Sequence, residues 1–395
     1  MSKKPQNFRT RLSHGGRAGK QVHGFVNPAV HRGSTVLFPS LAAREAARAR
    51  RMEQELTYGT QGTPTHWALE DMIAEIEGGT RAQIVSTGLA AVTVPLMAYL
   101  KTGEHCLMLD SCYGPARNFC ERYLKPMGVE TTYYDPCIDE AGIAALIRPN
   151  TRVVYTESPG SHTFEVQDIS AIARAAHARG AKVLMDNTWG IHYFQPFKHG
   201  VDVSIQALTK YVGGHSDILL GSVTVNSAED WERVRGTSSL HGHYASPDDC
   251  WLALRGVRTM GIRLERQMES GIEVAHWLSK RPEVKQVLHP ALHGAPGHDL
   301  WRRDFTGASS LFGVVFKPEF STAALHAFID GLELFGIGSS WGGFESLAVP
   351  SEVVRSAGSG HFGGPMARLH VGLEDPADLL ADLDQALAVM RAHAG

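Results

Sequence analysis

The sequence predicts an open, doubly wound α/β fold, a mostly parallel sheet with helices on both faces, followed by a smaller C-terminal α+β domain. Three observations carry this. Between Trp67 and Asp186, short apolar runs alternate with segments of helical periodicity at the spacing of βαβ units. After about Arg255 that rhythm gives way to one long helical stretch and then to irregularly mixed strands and helices. The chain has 395 residues, 43% of them apolar, enough for a large core and, on length alone, for two or three domains. The expected division is an arm over 1–64, an α/β domain over 65–255 and an α+β domain over 256–395.

Each element has a local reason. The arm holds one helical stretch, near Leu41 to Leu56, between segments bearing Gly and Pro that cannot bury themselves alone, so the arm is expected to pack on another subunit. A helix from Trp67 to Glu77 is stopped by Gly78-Gly79. Strand Gln83–Ser86, helix Leu89–Leu100, strand His105–Leu109 and helix Ala116–Leu124 follow, then strand Val129–Tyr134 and helix Asp139–Ile147. Strand Arg152–Glu157, helix Ile169–Arg179 and strand Lys182–Asp186 complete the alternation. Beyond it lie an apolar strand through Val201, Val203, Ile205 and Ala207, a long helix Gly256–Leu278, a strand Ser310–Phe316 and a last helix Leu379–Ala392.

The stretch Val203–Val223, VSIQALTKYVGGHSDILLGSV, organises the rest. Its apolar run delivers Thr209 and Lys210 to the carboxyl end of a strand, just before Gly213-Gly214. Ligands of open α/β sheets bind at that end, and a partly desolvated lysine there loses its proton readily enough to act as a Schiff-base nucleophile. A lysine after a strand is ordinarily a surface residue, but Asp186 changes its meaning. The acid ends the preceding apolar run, AKVLMD, so an acid and a lysine come from the ends of two successive strands. Pyridoxal phosphate requires such a pair, a lysine for its aldehyde and an acid to keep its ring nitrogen protonated.

The segments DNTW (Asp186–Trp189), IQALTKYVGGHSD (Ile205–Asp217), SWGGFESL and ARLHVGLED closely resemble the pyridoxal-phosphate-dependent enzymes of cysteine and methionine metabolism. The resemblance runs from about Gly33 to the C-terminus. It implies the aspartate-aminotransferase type of fold with a seven-stranded sheet, and a homo-oligomer, a homotetramer built as a dimer of dimers with shared active sites. The turn Ser86-Thr87-Gly88-Leu89 joins a strand to a helix and is an anion site by its backbone N–H groups and helix dipole. The resemblance assigns it the cofactor phosphate at Gly88 and Leu89, with Thr209 adding a hydroxyl. Relatives often have a serine where Ala207 stands, so one phosphate contact is missing here. Tyr113, in DSCYGP, corresponds to the tyrosine that stacks on the pyridine ring.

Arg368 sits in an alternating strand where an inward arginine is costly unless paired, and the resemblance supplies the substrate α-carboxylate as its partner. Ser340 and Trp341 lie near that carboxylate by the same correspondence. Tyr58 matches the arm tyrosine that reaches the neighbouring subunit's site. Where relatives carry Tyr-x-Arg in the arm, this chain has Tyr58-Gly59-Thr60, so the cofactor phosphate needs its charge balanced elsewhere. Arg48, Arg50 and Arg51, or the helix N-terminus near Leu89, are the candidates.

The implied chemistry is carbon–sulfur β-elimination on a small amino-acid thioether, cystathionine above all, giving homocysteine, pyruvate and ammonia in methionine biosynthesis, with cystine or other cysteine conjugates as further substrates. Lys210, Tyr113 and Asp186 are the catalytic set. Trp341 favours the β-eliminating branch by resemblance; γ-chemistry on the same fold, as a lyase or a synthase, is the alternative, and a non-catalytic binding protein with this fold is a third. A net charge of −3 argues against nucleic-acid or anionic-membrane partners. The basic N-terminus leads into no apolar segment, and no run approaches a membrane span. Five cysteines without CxxC spacing are expected to be reduced thiols of a cytoplasmic protein. The 20 histidines, His241 and His243 among them, lack the companions of a metal site, so no metal is expected.

Overall fold

The computed structural model describes residues 6–17, 24–358 and 362–393. Its larger sheet has seven strands: β1 (Arg81–Val85), β2 (His105–Leu109), β3 (Glu130–Tyr134), β4 (Thr151–Glu157), β5 (Lys182–Asp186), β6 (Val203–Gln206) and β7 (Gly221–Val225). Their order is β1-β7-β6-β5-β4-β2-β3. A smaller sheet, in the order β10-β11-β9-β8, is formed by β8 (Val284–Leu288), β9 (Leu311–Phe316), β10 (Leu347–Pro350) and β11 (Met366–His370). The α/β class and the seven strands expected from the sequence are therefore observed. The residues fall into two compact units, Met1–Tyr99 with Asp202–Gly261, and Leu100–Val201 with Ile262–Gly395.

In the first unit β7 runs antiparallel to both β1 and β6. The register pairs Val203 with Val225 and Gln206 with Ser222, so residues 207–220 form the connection between two hydrogen-bonded strands. β7 was not anticipated from the sequence, because GSVTV is short and continuous with the preceding apolar ILL. β6 is also shorter than expected: it ends at Gln206, and Lys210 lies four residues beyond it. The helix Gly88–Tyr99 follows β1 directly, and helix Pro64–Glu77 precedes it.

In the second unit β3, β2, β4 and β5 are all parallel. β2 is buried at every position, as a central strand covered on both faces must be. The smaller sheet is antiparallel throughout. Helices Thr322–Asp330 and Pro376–Ala392 contribute Phe328, Leu383 and Leu387 to a core with Phe312, Val314 and Phe316 of β9.

Several boundaries moved for identifiable reasons. The arm holds two helices where one was expected: Phe8–His14, which buries Leu12, and Leu41–Ala49, which buries one residue, Ala47, too thin an apolar face to extend it. The long helix begins at Pro247, nine residues before the expected start. Proline fits its first turn, Asp248 and Asp249 suit its positive end, and Ser246 Oγ accepts the Asp248 N–H at 3.2 Å. The helix expected over Ala116–Leu124 is α-helical over Gly114–Phe119 and continues as a π-turn over Cys120–Leu124. All five cysteines are free, four of them buried. Among the described residues no helix is long and apolar enough to cross a membrane.

Candidate active site

The lysine turn is built from backbone bonds. The Lys210 N–H donates to Ala207 O at 3.1 Å, and Gly214 N–H donates to Lys210 O at 2.8 Å. Thr209 closes the turn on its other side. Its hydroxyl donates to Leu220 O at 3.1 Å and accepts the Leu220 N–H at 3.0 Å. The hydroxyl's single proton is thus committed to the turn, where the sequence reading had assigned it to a phosphate. Lys210 itself is half-buried.

The anion turn lies in the same unit. Thr87 Oγ1 accepts the Ala90 N–H at 3.0 Å and caps helix Gly88–Tyr99, whose first N–H groups, at Gly88 and Leu89, have no intrahelical acceptor. A Cβ on Gly88 would stand 2.7 Å from that of Ala207. The two backbones therefore approach as they do only because residue 88 is a glycine.

Tyr58 and Thr60 flank a buried glycine. A Cβ on Gly59 would meet Gly33 O at 2.1 Å, and the Gly59 N–H donates to Ser34 O at 2.7 Å. This seats the arm and turns both neighbours outward: Tyr58 is 51% exposed and Thr60 is exposed, and neither side chain makes a hydrogen bond among the described residues. The basic run is a weaker candidate for charge balance than the sequence suggested. Arg50 is held by Glu55 at 2.7 Å, and Arg48 lies 3.6 Å from Glu45.

In the second unit, Tyr113, Asp186 and Arg368 are close enough to influence one another. Burial raises the Tyr113 phenol above its ordinary range, the charges of Asp186 and Glu157 raise it further, and Arg368 opposes them. Tyr113 therefore keeps its proton at neutral pH. Its backbone N–H donates to Glu157 Oε2 at 2.6 Å. Asp186 closes β5, and its Oδ1 accepts the Thr188 N–H at 3.0 Å. Trp189 of the same motif is buried, its Nε1–H donating to Leu311 O at 3.0 Å.

Arg368 lies on β11, and burial lowers its pKa. Its Nη2–H donates to Ser340 O at 3.1 Å, and no carboxylate among the described residues pairs with it. Ser340 adopts φ 86°, a left-handed conformation that a non-glycine residue holds only when its surroundings enforce it. Those surroundings are explicit. His370 Nε2 accepts the Gly342 N–H at 3.1 Å, and Gln267 Nε2 donates to Gly343 O at 2.7 Å. Glu374 accepts from Ser346 N at 2.7 Å and Ser346 Oγ at 2.9 Å. The turn carrying Ser340 and Trp341 is thus tied down beside an arginine that no carboxylate among the described residues pairs with.

The comparisons with known proteins fit this chemistry. Residues 9–388 match the family model described as Cys/Met metabolism PLP-dependent enzyme. The chain belongs to that family. A putative cystathionine beta-lyase of Rhizobium johnstonii is 50% identical over 388 residues, covering 97% of this chain and 96% of the relative. The cystathionine beta-lyase MetC of Escherichia coli is 41% identical over 387 residues, covering 96% and 98%. Among solved structures, metB from Corynebacterium glutamicum superposes with a TM-score of 0.87 at 29% identity, covering 97% of this chain and 98% of that one.

Pyridoxal phosphate is thus the enzyme's cofactor, and the residues present suit it. A capped helix with open N–H groups at Gly88 and Leu89 can hold an anion, and a carboxylate closes β5 beside an aromatic that retains its proton. Glu157 and His162, beside Tyr113 and Arg368, did not stand out in the sequence. Glu157 ends an apolar strand just as Asp186 does, and that signal was available. His162 was not legible: its ring, lowered to about 4 by burial and by Arg368, bonds Ser351 Oγ across 189 residues of sequence.

Proposed function

We propose that this enzyme is a carbon–sulfur β-lyase that cleaves L-cystathionine to homocysteine, pyruvate and ammonia, with other cysteine S-conjugates as further substrates. The observation that carries the reading is the half-buried Arg368, which no carboxylate pairs among the described residues, beside a proton-retaining Tyr113, a seat for an amino-acid carboxylate next to a reacting centre. The names of the relatives at 50% and 41% identity support cystathionine as the thioether. Bound pyridoxal phosphate supplies the electron sink that makes the Cα proton of an amino acid removable.

The chain's own residues divide the remaining work. Lys210 would hold the cofactor through its amine, and that amine would be the base that takes the Cα proton. Asp186 would keep the ring nitrogen protonated and Tyr113 would hold the ring in place. Gly88 and Leu89 would hold the phosphate, with Thr209 shaping the turn that carries Lys210. Arg368, assisted by Ser340 and Trp341, orients the Cα–H bond by clamping the α-carboxylate. The outward Tyr58 and Thr60 complete the site of a neighbouring subunit, in a cytoplasmic homotetramer whose arm is residues 1–64 and whose two further domains span 65–255 and 256–395.

The test is turnover of L-cystathionine with both keto acids measured. Pyruvate in step with homocysteine is expected, and 2-oxobutyrate would transfer the enzyme to γ-chemistry. The protein should be yellow, and borohydride should fix the cofactor to the peptide containing Lys210. Lys210→Ala should lose turnover by roughly several orders of magnitude, because nucleophile and base disappear together. A colourless wild type with full activity would overturn the assignment.

A further inference from the structure

Two acids end neighbouring strands of the sheet. Glu157 closes β4, Asp186 closes β5, and the two are direct register partners in a parallel pair. Only Asp186 has a role in the reading above. Two carboxylates side by side in a partly dry place do not both ionise cheaply, so the pair must divide its protons.

The surroundings decide the division. Glu157 Oε2 accepts the Tyr113 N–H at 2.6 Å, and the Glu157 N–H points to Gln167 Oε1 at 3.4 Å. Burial first, and the Asp186 charge second, push the Glu157 carboxyl well above the ordinary range, against the smaller pull of the Tyr113 N–H. The titratable groups facing it are Asp186, Tyr113, Cys112 and Tyr155, with Arg368 acting on Tyr113. One residue therefore joins the backbone of the tyrosine to the neighbourhood of the acid.

We propose that Glu157 is a positioning residue for the cofactor ring: by holding the Tyr113 N–H it sets where the Tyr113 ring lies relative to the Asp186 carboxylate. The inference rests on the reading of Tyr113 and Asp186 as cofactor residues. Glu157 performs this role as a neutral carboxyl, which leaves the single negative charge of the pair on Asp186, where a protonated ring nitrogen needs it. A protonated carboxyl can still accept the Tyr113 N–H through one oxygen. Glutamine can do the same, whereas alanine cannot.

The test compares wild type, Glu157→Gln and Glu157→Ala after the cofactor has been stripped and titrated back, with tryptophan fluorescence and the visible band as readouts and circular dichroism to verify folding. Glu157→Gln should bind pyridoxal phosphate within about twofold of wild type, while Glu157→Ala, which leaves the Tyr113 N–H unpaired, should bind on the order of tenfold more weakly with a shifted band. Wild-type affinity should also fall as alkaline pH ionises Glu157 beside Asp186, and the glutamine variant should lack that component. The proposal is overturned if Glu157→Ala matches wild type, or if Glu157→Gln is as weak as alanine, since an anion would then be required. Should Glu157→Ala fail to fold, identical pH profiles for wild type and Glu157→Gln overturn it just as well. Failure of the wild type to bind the cofactor would instead sink the underlying assignment.

Discussion

Arg368→Leu separates function from stability by sign. In the folded chain the guanidinium is half-buried, has one neutral hydrogen bond to Ser340 O and no carboxylate partner among the described residues, and partial burial lowers its pKa. Such an arrangement costs folding free energy, because a charge has partly left water without an opposite charge beside it. Leucine keeps much of the apolar stem and removes the charge, so the unliganded variant should unfold at the same or a higher temperature. Catalysis should move the other way. A substrate carboxylate held by two charge-assisted bonds of about 1.5–3 kcal/mol each loses about 3–6 kcal/mol of binding and orientation, or roughly a 10²- to 10⁴-fold drop in kcat/KM. KM should rise and kcat should also fall, because the clamp orients the Cα–H bond. The assay is steady-state pyruvate release from L-cystathionine, paired with thermal unfolding of the cofactor-free protein. An unchanged kcat/KM removes Arg368 from the site, and a large loss of stability shows that the arginine serves the fold.

Thr60→Arg should tighten pyridoxal phosphate binding by roughly 10- to 100-fold, the worth of one charge-assisted bond, without changing which keto acid is released. Equal affinities in a cofactor titration would show that the exposed Thr60 of the Gly59–Gln61 turn does not approach a phosphate. Glu70 supplies a pH test of stability. Burial pushes its carboxyl up to about 7 from 4.5, and Arg235 offsets only part of this. The folded state therefore holds the proton more tightly than the unfolded one. The resulting stability is present below about pH 4.5 and is lost as pH rises through 7, a contribution on the order of 3 kcal/mol. Glu70→Gln should flatten that decline in urea unfolding between pH 5 and pH 8; an unchanged slope would show that Glu70 is already ionised in the folded protein.

Read without a fold, the sequence determined the local facts. Strands His105–Leu109 and Lys182–Asp186 were legible to the residue, because each is an apolar run bounded by turn-forming residues. Lys210 and Asp186 stood out as candidates because each ends or follows an apolar strand, and Tyr113 and Arg368 because of the motifs that carry the family resemblance. The tertiary structure alone decided how such motifs are held. That Thr209 spends its hydroxyl on Leu220, that Arg368 bonds Ser340 O and pairs with no carboxylate among the described residues, and that Glu157 stands beside Asp186 and grips the Tyr113 backbone are facts of register and burial. Strand β7 was hidden for the same reason: its five residues earn their identity from pairing with β1 and β6, which a local pattern does not encode. Hydrophobic periodicity reports which side of an element is buried, but the partner that buries it, and hence the protonation and orientation of each polar group, is fixed only when distant segments pack together.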